Sequence, residues 1–139
     1  MNDIVINKIQ SIQRCVERAR TEYWSDPAGF DANYTQQDAA VLNVLRACEQ
    51  AIDLANHLIK THKMGIPASS AESFDLLRRK GVIDMTLSEK LKKIVHFRNT
   101  IIHNYQRMDL DIVKAVIVSG LEDLIHFGDR IMEFCGPTA

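Results

Sequence analysis

Residues 35–64 read TQQDAAVLNVLRACEQAIDLANHLIKTHKM, and the spacing of their apolar side chains decides the fold class. Val41, Leu45, Cys48, Ile52, Ala55 and Ile59 advance in alternating steps of four and three, which places them on one face of a helix. Leu42, Val44, Ala51, Leu54 and Leu58 widen that face, so the helix is expected to be buried on more than one side. Thr35 followed by Asp38 resembles a capping box and puts the start near Thr35. Met64-Gly65, with Pro67 beyond, puts the end there.

The same period continues outward in both directions. Val5, Ile9, Ile12, Val16, Ala19 and Tyr23 share a face, with Lys8, Arg14, Glu17 and Arg18 mostly away from it, until Asp26-Pro27-Ala28-Gly29 breaks the helix. Downstream, Ser69 and Glu72 suit a capping box for a short helix that carries Phe74, Leu76 and Leu77 and stops at Gly81. Thr86 and Glu89 suit another, opening a run through Leu87, Leu91, Ile94, Val95, Ile101 and Ile102. A last helix from Asp109 carries Leu110, Val113, Ile117, Gly120, Leu124, Phe127, Ile131 and Phe134, a spacing suited to packing at a shallow angle. Gly120 marks either a close helix approach or a tolerated gap. No appreciable segment alternates with the period of a strand. The expectation is an all-α, up-and-down bundle of four long helices plus one short one, a single domain over 1–139.

Length and composition bound the rest. The 139 residues suffice for one core, and 46% hydrophobic with 25% charged residues reads as an ordinary globular chain. A formal charge of −1 gives no global attraction to nucleic acid, so any RNA must be held by local Lys and Arg. Cys15, Cys48 and Cys135 are widely spaced, as reduced core thiols in a cytosolic protein would be. The opening residues lack the pattern of a signal peptide, and no apolar stretch approaches the ~20 residues that span a bilayer. A cytoplasmic location without membrane contact is therefore expected.

Chemistry-bearing side chains concentrate in His96-Phe97-Arg98-Asn99-Thr100-Ile101-Ile102-His103-Asn104-Tyr105. His96, Asn99 and His103 share a helix face, whereas Arg98 lies about 140° round from His103. The two converge on one ligand if the helix ends near His103, if Arg98 reaches round, or if two subunits contribute. A guanidinium holds phosphate oxygens by paired hydrogen bonds, and an imidazole titrates near neutrality. In RNA the neighbouring 2′-OH is an internal nucleophile, so this pair suits phosphodiester cleavage without a metal. The plainer reading has Arg98 paired with a carboxylate and His103 capping a helix C-terminus.

Arg98-Asn99-Thr100-Ile101-Ile102-His103-Asn104-Tyr105 resembles the R-x-x-x-x-H-x-Y motif of the HepT toxins of the HEPN superfamily. Met1-Asn2-Asp3-Ile4-Val5-Ile6-Asn7-Lys8-Ile9, the stretch from Cys48 to His57, Gly65-Ile66-Pro67 and Leu110-Asp111-Ile112-Val113 are similar too, so the resemblance covers nearly the whole chain. It implies a HEPN-like bundle acting as an RNA-cutting, metal-independent toxin, a homodimer whose two motifs face a shared cleft. Arg98 would hold the scissile phosphate, His103 would act as general acid or base, and Asn99 would orient one of them. It also implies an antitoxin of the MntA type, a minimal nucleotidyltransferase that transfers AMP to Tyr105, with a larger hetero-oligomer as one form the pair could take. ATP and Mg²⁺ would be that partner's cofactors, and this chain would need none.

Other readings stand beside this one. Tyr105 also suits a packed ring with a bonded hydroxyl. Asp53, Asn56 and His57 on the second helix are weaker candidates for supporting the cleft, equally suited to a satisfied polar network. His62 and His126 read as surface residues, and Arg78-Arg79-Lys80 as a solvated helix end. The three cysteines form no C-x-x-C pair to complete a zinc site with the histidines, so no metal is expected. The competing function is a non-catalytic helical module that binds a nucleotidyltransferase, which has no need of both Arg98 and His103. A metal-carrying four-helix bundle would need repeated Glu-x-x-His pairs, and Glu122 with His126 has no second copy.

Overall fold

The computed structural model of the chain describes residues 3–136. Met1 and Asn2, which open one of the HepT-like stretches, lie outside that range. Helices α1 (Asp3–Ser25), α2 (Tyr34–Thr61), α3 (Ser70–Arg79) and α4 (Met85–His103) come first. Then α5 (Leu110–Ala115) and α6 (Leu121–Cys135) are joined by a π turn, Val116–Gly120. The backbone stays right-handed helical through Ala115, Val116, Gly120 and Leu121, so α5, the π turn and α6 form one rod. Counted that way, four long helices and one short one make up the bundle, and no strand occurs among the described residues.

α2 is the central element. Its buried positions run round the helix from Ala40, Val41 and Val44 to Leu54, Leu58 and Ile59, matching the wide face expected of it except at Leu42, which points outward and is exposed. It packs along α1 and also touches α3, α4 and α6. The turn between α1 and α2 is held by two buried glutamines. Gln36 Nε2 donates to the carbonyls of Glu22 and Asp26 at 2.8 and 3.0 Å, satisfying oxygens that the end of α1 leaves open. Gln37 Nε2 donates to Phe30 O at 2.8 Å. Elsewhere the core includes Phe74 and Phe127, edge to face with ring centres 5.4 Å apart.

Several boundaries differ from the sequence expectation. The cap of α2 is Asn33, whose side chain accepts from Gln36 N, so Thr35 and Asp38 form no capping box. The cap of α4 is Asp84, accepting from Leu87 N at 2.8 Å, in place of Thr86. In both cases an Asn or Asp upstream of the candidate Thr takes the role, consistent with the stronger capping tendency of those side chains. Ser69 caps α3 as expected. α2 ends at Thr61, short of Met64: Met64 N bonds Ile59 O at 2.9 Å and Lys63 N bonds Lys60 O at 3.3 Å, a Schellman closure with Lys63 at φ 54.

Gly120 is no close approach, because a Cβ there would meet only Val116 within the same rod, at 3.4 Å. Leu121 enters the core beside it, and Gly128 is the glycine that faces α1, where an added Cβ would stand 3.4 Å from Ile9 Cγ2. Phe134, the last residue of the expected stripe, is exposed and stands edge-on to His62, which is also exposed. Cys15 and Cys48 are buried and Cys135 is partly so, all as free thiols. Burial pushes the Cys48 thiol up to about 12, so it stays protonated.

Candidate active site

The polar segment falls where α4 ends. His103 is the last residue of α4, Asn104 closes it through a bond from its N–H to Thr100 O, and Tyr105–Arg107 continue as a 3-10 turn. Ending here exposes His103 and brings the tyrosine back toward the start of α2. Two polar ties then join α2 to α4. Arg98 donates from Nε and Nη2 to Glu49 Oε1, and from Nη1 to Asn99 Oδ1 at 2.8 Å. The Tyr105 hydroxyl donates to Asp38 Oδ1. Position 38 meets 105 and position 49 meets 98, so the two helices run antiparallel.

Between the ties α2 presents Leu42 and Arg46 and α4 presents Ile102, all exposed. Leu42 follows Asp38 by one turn and Ile102 follows Arg98 by one turn, and they are 47% and 57% exposed. Tyr34, also exposed, opens the same end of α2.

Arg98 is held rather than mobile: its side chain is only 21% exposed, and three of its nitrogens have partners. That fixes the guanidinium plane while leaving hydrogens on both terminal nitrogens for a phosphate. Tyr105, at 40% exposed, has its hydroxyl pushed up to about 12, first by desolvation and then by the Asp38 carboxylate. It is therefore a neutral phenol at neutral pH. His103 has no hydrogen-bond partner among the described residues, and with His96 and Asn99 it stands on the exposed side of α4.

The weaker candidates point elsewhere. Asp53 faces Lys8 of α1 at 3.8 Å, and Asn56 accepts from Ser73 Oγ of α3 at 2.6 Å. His57 is half-buried. His126 is exposed, and Arg78 and Arg79 occupy the last turn of α3. A separate cleft of about 580 Å³, lined by His96, Phe97, Thr100, Ile112 and Val116 among others, opens between α4 and the α5 rod and reaches neither Arg98 nor His103. Among the described residues no three His, Cys, Asp or Glu side chains cluster as metal ligands, and no helix is long and apolar enough to cross a membrane.

Glu49 and Asp38, the two carboxylates of the site, were not among the residues singled out in the sequence. Glu49 carried a signal: it interrupts the apolar run Leu45, Cys48, Ile52 on the broad face of α2. Asp38 was hidden by its fit to a helix-start pattern.

Arg98 paired with a carboxylate and His103 at a helix end are also what a purely structural motif would show, so kinship carries weight here. Residues 7–131 match the ribonuclease HepT-like family. The chain is 46% identical over 131 residues to the mRNA nuclease HepT of Shewanella oneidensis, covering 94% of this chain and 98% of that one. A solved structure of a tri-AMPylated HEPN toxin from Shewanella oneidensis, in complex with its MNT antitoxin, superposes with a TM-score of 0.89 at 46% identity, covering 94% of this chain and 98% of that one. A toxin–antitoxin crystal structure with AMP-PNP matches with a TM-score of 0.89 at 44% identity, over 95% of this chain and all of the other (100%). With sequence similarity across nearly the whole chain and the same helical architecture, this protein belongs to the ribonuclease HepT-like family.

Proposed function

We propose that this chain is a metal-independent RNA endonuclease toxin of the cytoplasm that works as a homodimer and is silenced by an MntA-type nucleotidyltransferase. The observation that carries this reading is the Arg98…His103-x-Tyr105 array at the end of α4, in a chain of the ribonuclease HepT-like family. Arg98, its plane held by Glu49 and Asn99, binds the scissile phosphate through its remaining N–H groups. His103 moves the proton. In the chemistry of RNA the 2′-OH attacks the adjacent phosphorus while the 5′-oxygen leaves, a step that needs one base and one acid. One protomer supplies one His103, and a second copy brings the other. The exposed Leu42 and Ile102 between the two polar ties support that pairing.

Silencing in this reading is AMP transfer to Tyr105, which adds bulk and negative charge beside the phosphate-binding arginine. ATP and Mg²⁺ belong to the antitoxin, and the toxin uses no cofactor of its own. The test is a short RNA with a single 2′-deoxy nucleotide at the cut position. This mechanism requires that it stay intact while the all-ribo strand is cut to a 2′,3′-cyclic phosphate end; cutting of the deoxy strand would contradict it. The second reading, a non-catalytic partner of the nucleotidyltransferase, is favoured by one observation, the carboxylate already paired with Arg98. It predicts that neither strand is cut.

A further inference from the structure

The Tyr105 hydroxyl donates its hydrogen bond to Asp38 Oδ1, across from the 3-10 turn to the first turns of α2. Asp38 forms no ion pair among the described residues, and it is exposed, so its carboxylate has no competing cation. It is also the one charged group that acts on this hydroxyl. A phenol attacks phosphorus well only as its proton leaves, and a carboxylate already accepting that proton is placed as a general base. We propose that Asp38 is the catalytic base for AMP transfer to Tyr105, so that the toxin itself supplies the group that activates its own modification site.

This inference rests on the reading of Tyr105 as the AMP acceptor. The phenolic oxygen attacks the α-phosphorus of the nucleoside triphosphate held by the antitoxin. The new O–P bond forms as the bond to pyrophosphate breaks, and the phenol proton passes to Asp38 Oδ1, from which water takes it. The elevation of the Tyr105 hydroxyl to about 12 agrees with the need for a base, because almost no phenolate is present near neutrality. The bond also holds the oxygen still at an exposed turn, so that the acceptor is oriented before the antitoxin arrives.

The experiment follows AMP incorporation from ATP into the full-length chain by its antitoxin, for wild type, Asp38→Asn and Tyr105→Phe, as a function of pH. Circular dichroism verifies that each variant is folded. Asn keeps the shape and can still bond the hydroxyl, but it cannot take the proton. The expected result is that Asp38→Asn lowers kcat by about 100- to 10,000-fold with KM for ATP unchanged. Its residual rate climbs steadily into alkaline solution, following loss of the phenol proton to solvent, and so departs from the wild-type pH profile. A wild-type rate in Asp38→Asn, or a slow rate with the wild-type pH profile, would overturn the base. Incorporation into Tyr105→Phe at the wild-type rate would instead overturn the modification site, and with it this inference.

Discussion

Glu49 holds the guanidinium of Arg98. An arginine that donates to a carboxylate through Nε and one terminal nitrogen has a fixed plane, and the carboxylate offsets part of its positive field. If that fixed plane is what cleavage needs, Glu49→Ala lowers kcat by about 10- to 100-fold while Glu49→Gln, which still accepts from Nε, loses far less. Steady-state cleavage of a labelled RNA measures this; a faster Glu49→Ala enzyme would show that the carboxylate competes with phosphate instead. Tyr105 gives a second handle. Its hydroxyl is raised from 10.0 to about 12, so its contribution to stability is complete below the free phenol value and is lost as pH rises through the folded one. Ultraviolet titration of tyrosinate should show one late group, absent in Tyr105→Phe and shifted downward in Asp38→Asn, though not fully, because desolvation remains the larger cause. An unshifted late group in Asp38→Asn would mean the carboxylate does not act on the phenol.

At the scale of elements, the helices were legible because burial imposes a period on the sequence, whereas their ends depend on single hydrogen bonds. The broad face of α2 and the stop at Gly81 followed from spacing and from a residue that tolerates φ 76. The starts of α2 and α4 did not, since Asn33 and Asp84 outcompeted the Thr residues behind them. Asp84→Ala is expected to cost about 1 kcal/mol by denaturant melting, against nearly nothing for Thr86→Ala. The motif itself was readable as a pattern of residue types. Its two carboxylates were not, because both come from α2 and join the site only through the antiparallel pairing with α4. The end of α2 was read late for a similar reason: Lys63 adopts the left-handed turn that composition would assign to Gly65.

At the scale of the molecule, the core is centred on α2, and the proposed activity rests on the surface that α2 shares with α4. Leu54 is fully buried, and Leu54→Ala should destabilise the chain by about 2–5 kcal/mol. Ile102, more than half exposed at 57%, has no such part in the core. Ile102→Asp is expected to leave the melting temperature nearly unchanged while shifting sedimentation from dimer to monomer and reducing cleavage together with it. A monomeric variant that cuts as well as wild type would remove the second copy from the account. In the proposed function Arg98 and His103 cut RNA without a metal. The most direct measurement is cleavage of bulk cellular RNA in the presence of EDTA by wild type, Arg98→Ala and His103→Ala, each verified as folded and with Tyr105 unmodified. The account predicts cutting by wild type and none by either variant; a silent wild type, or variants that cut as it does, would contradict it.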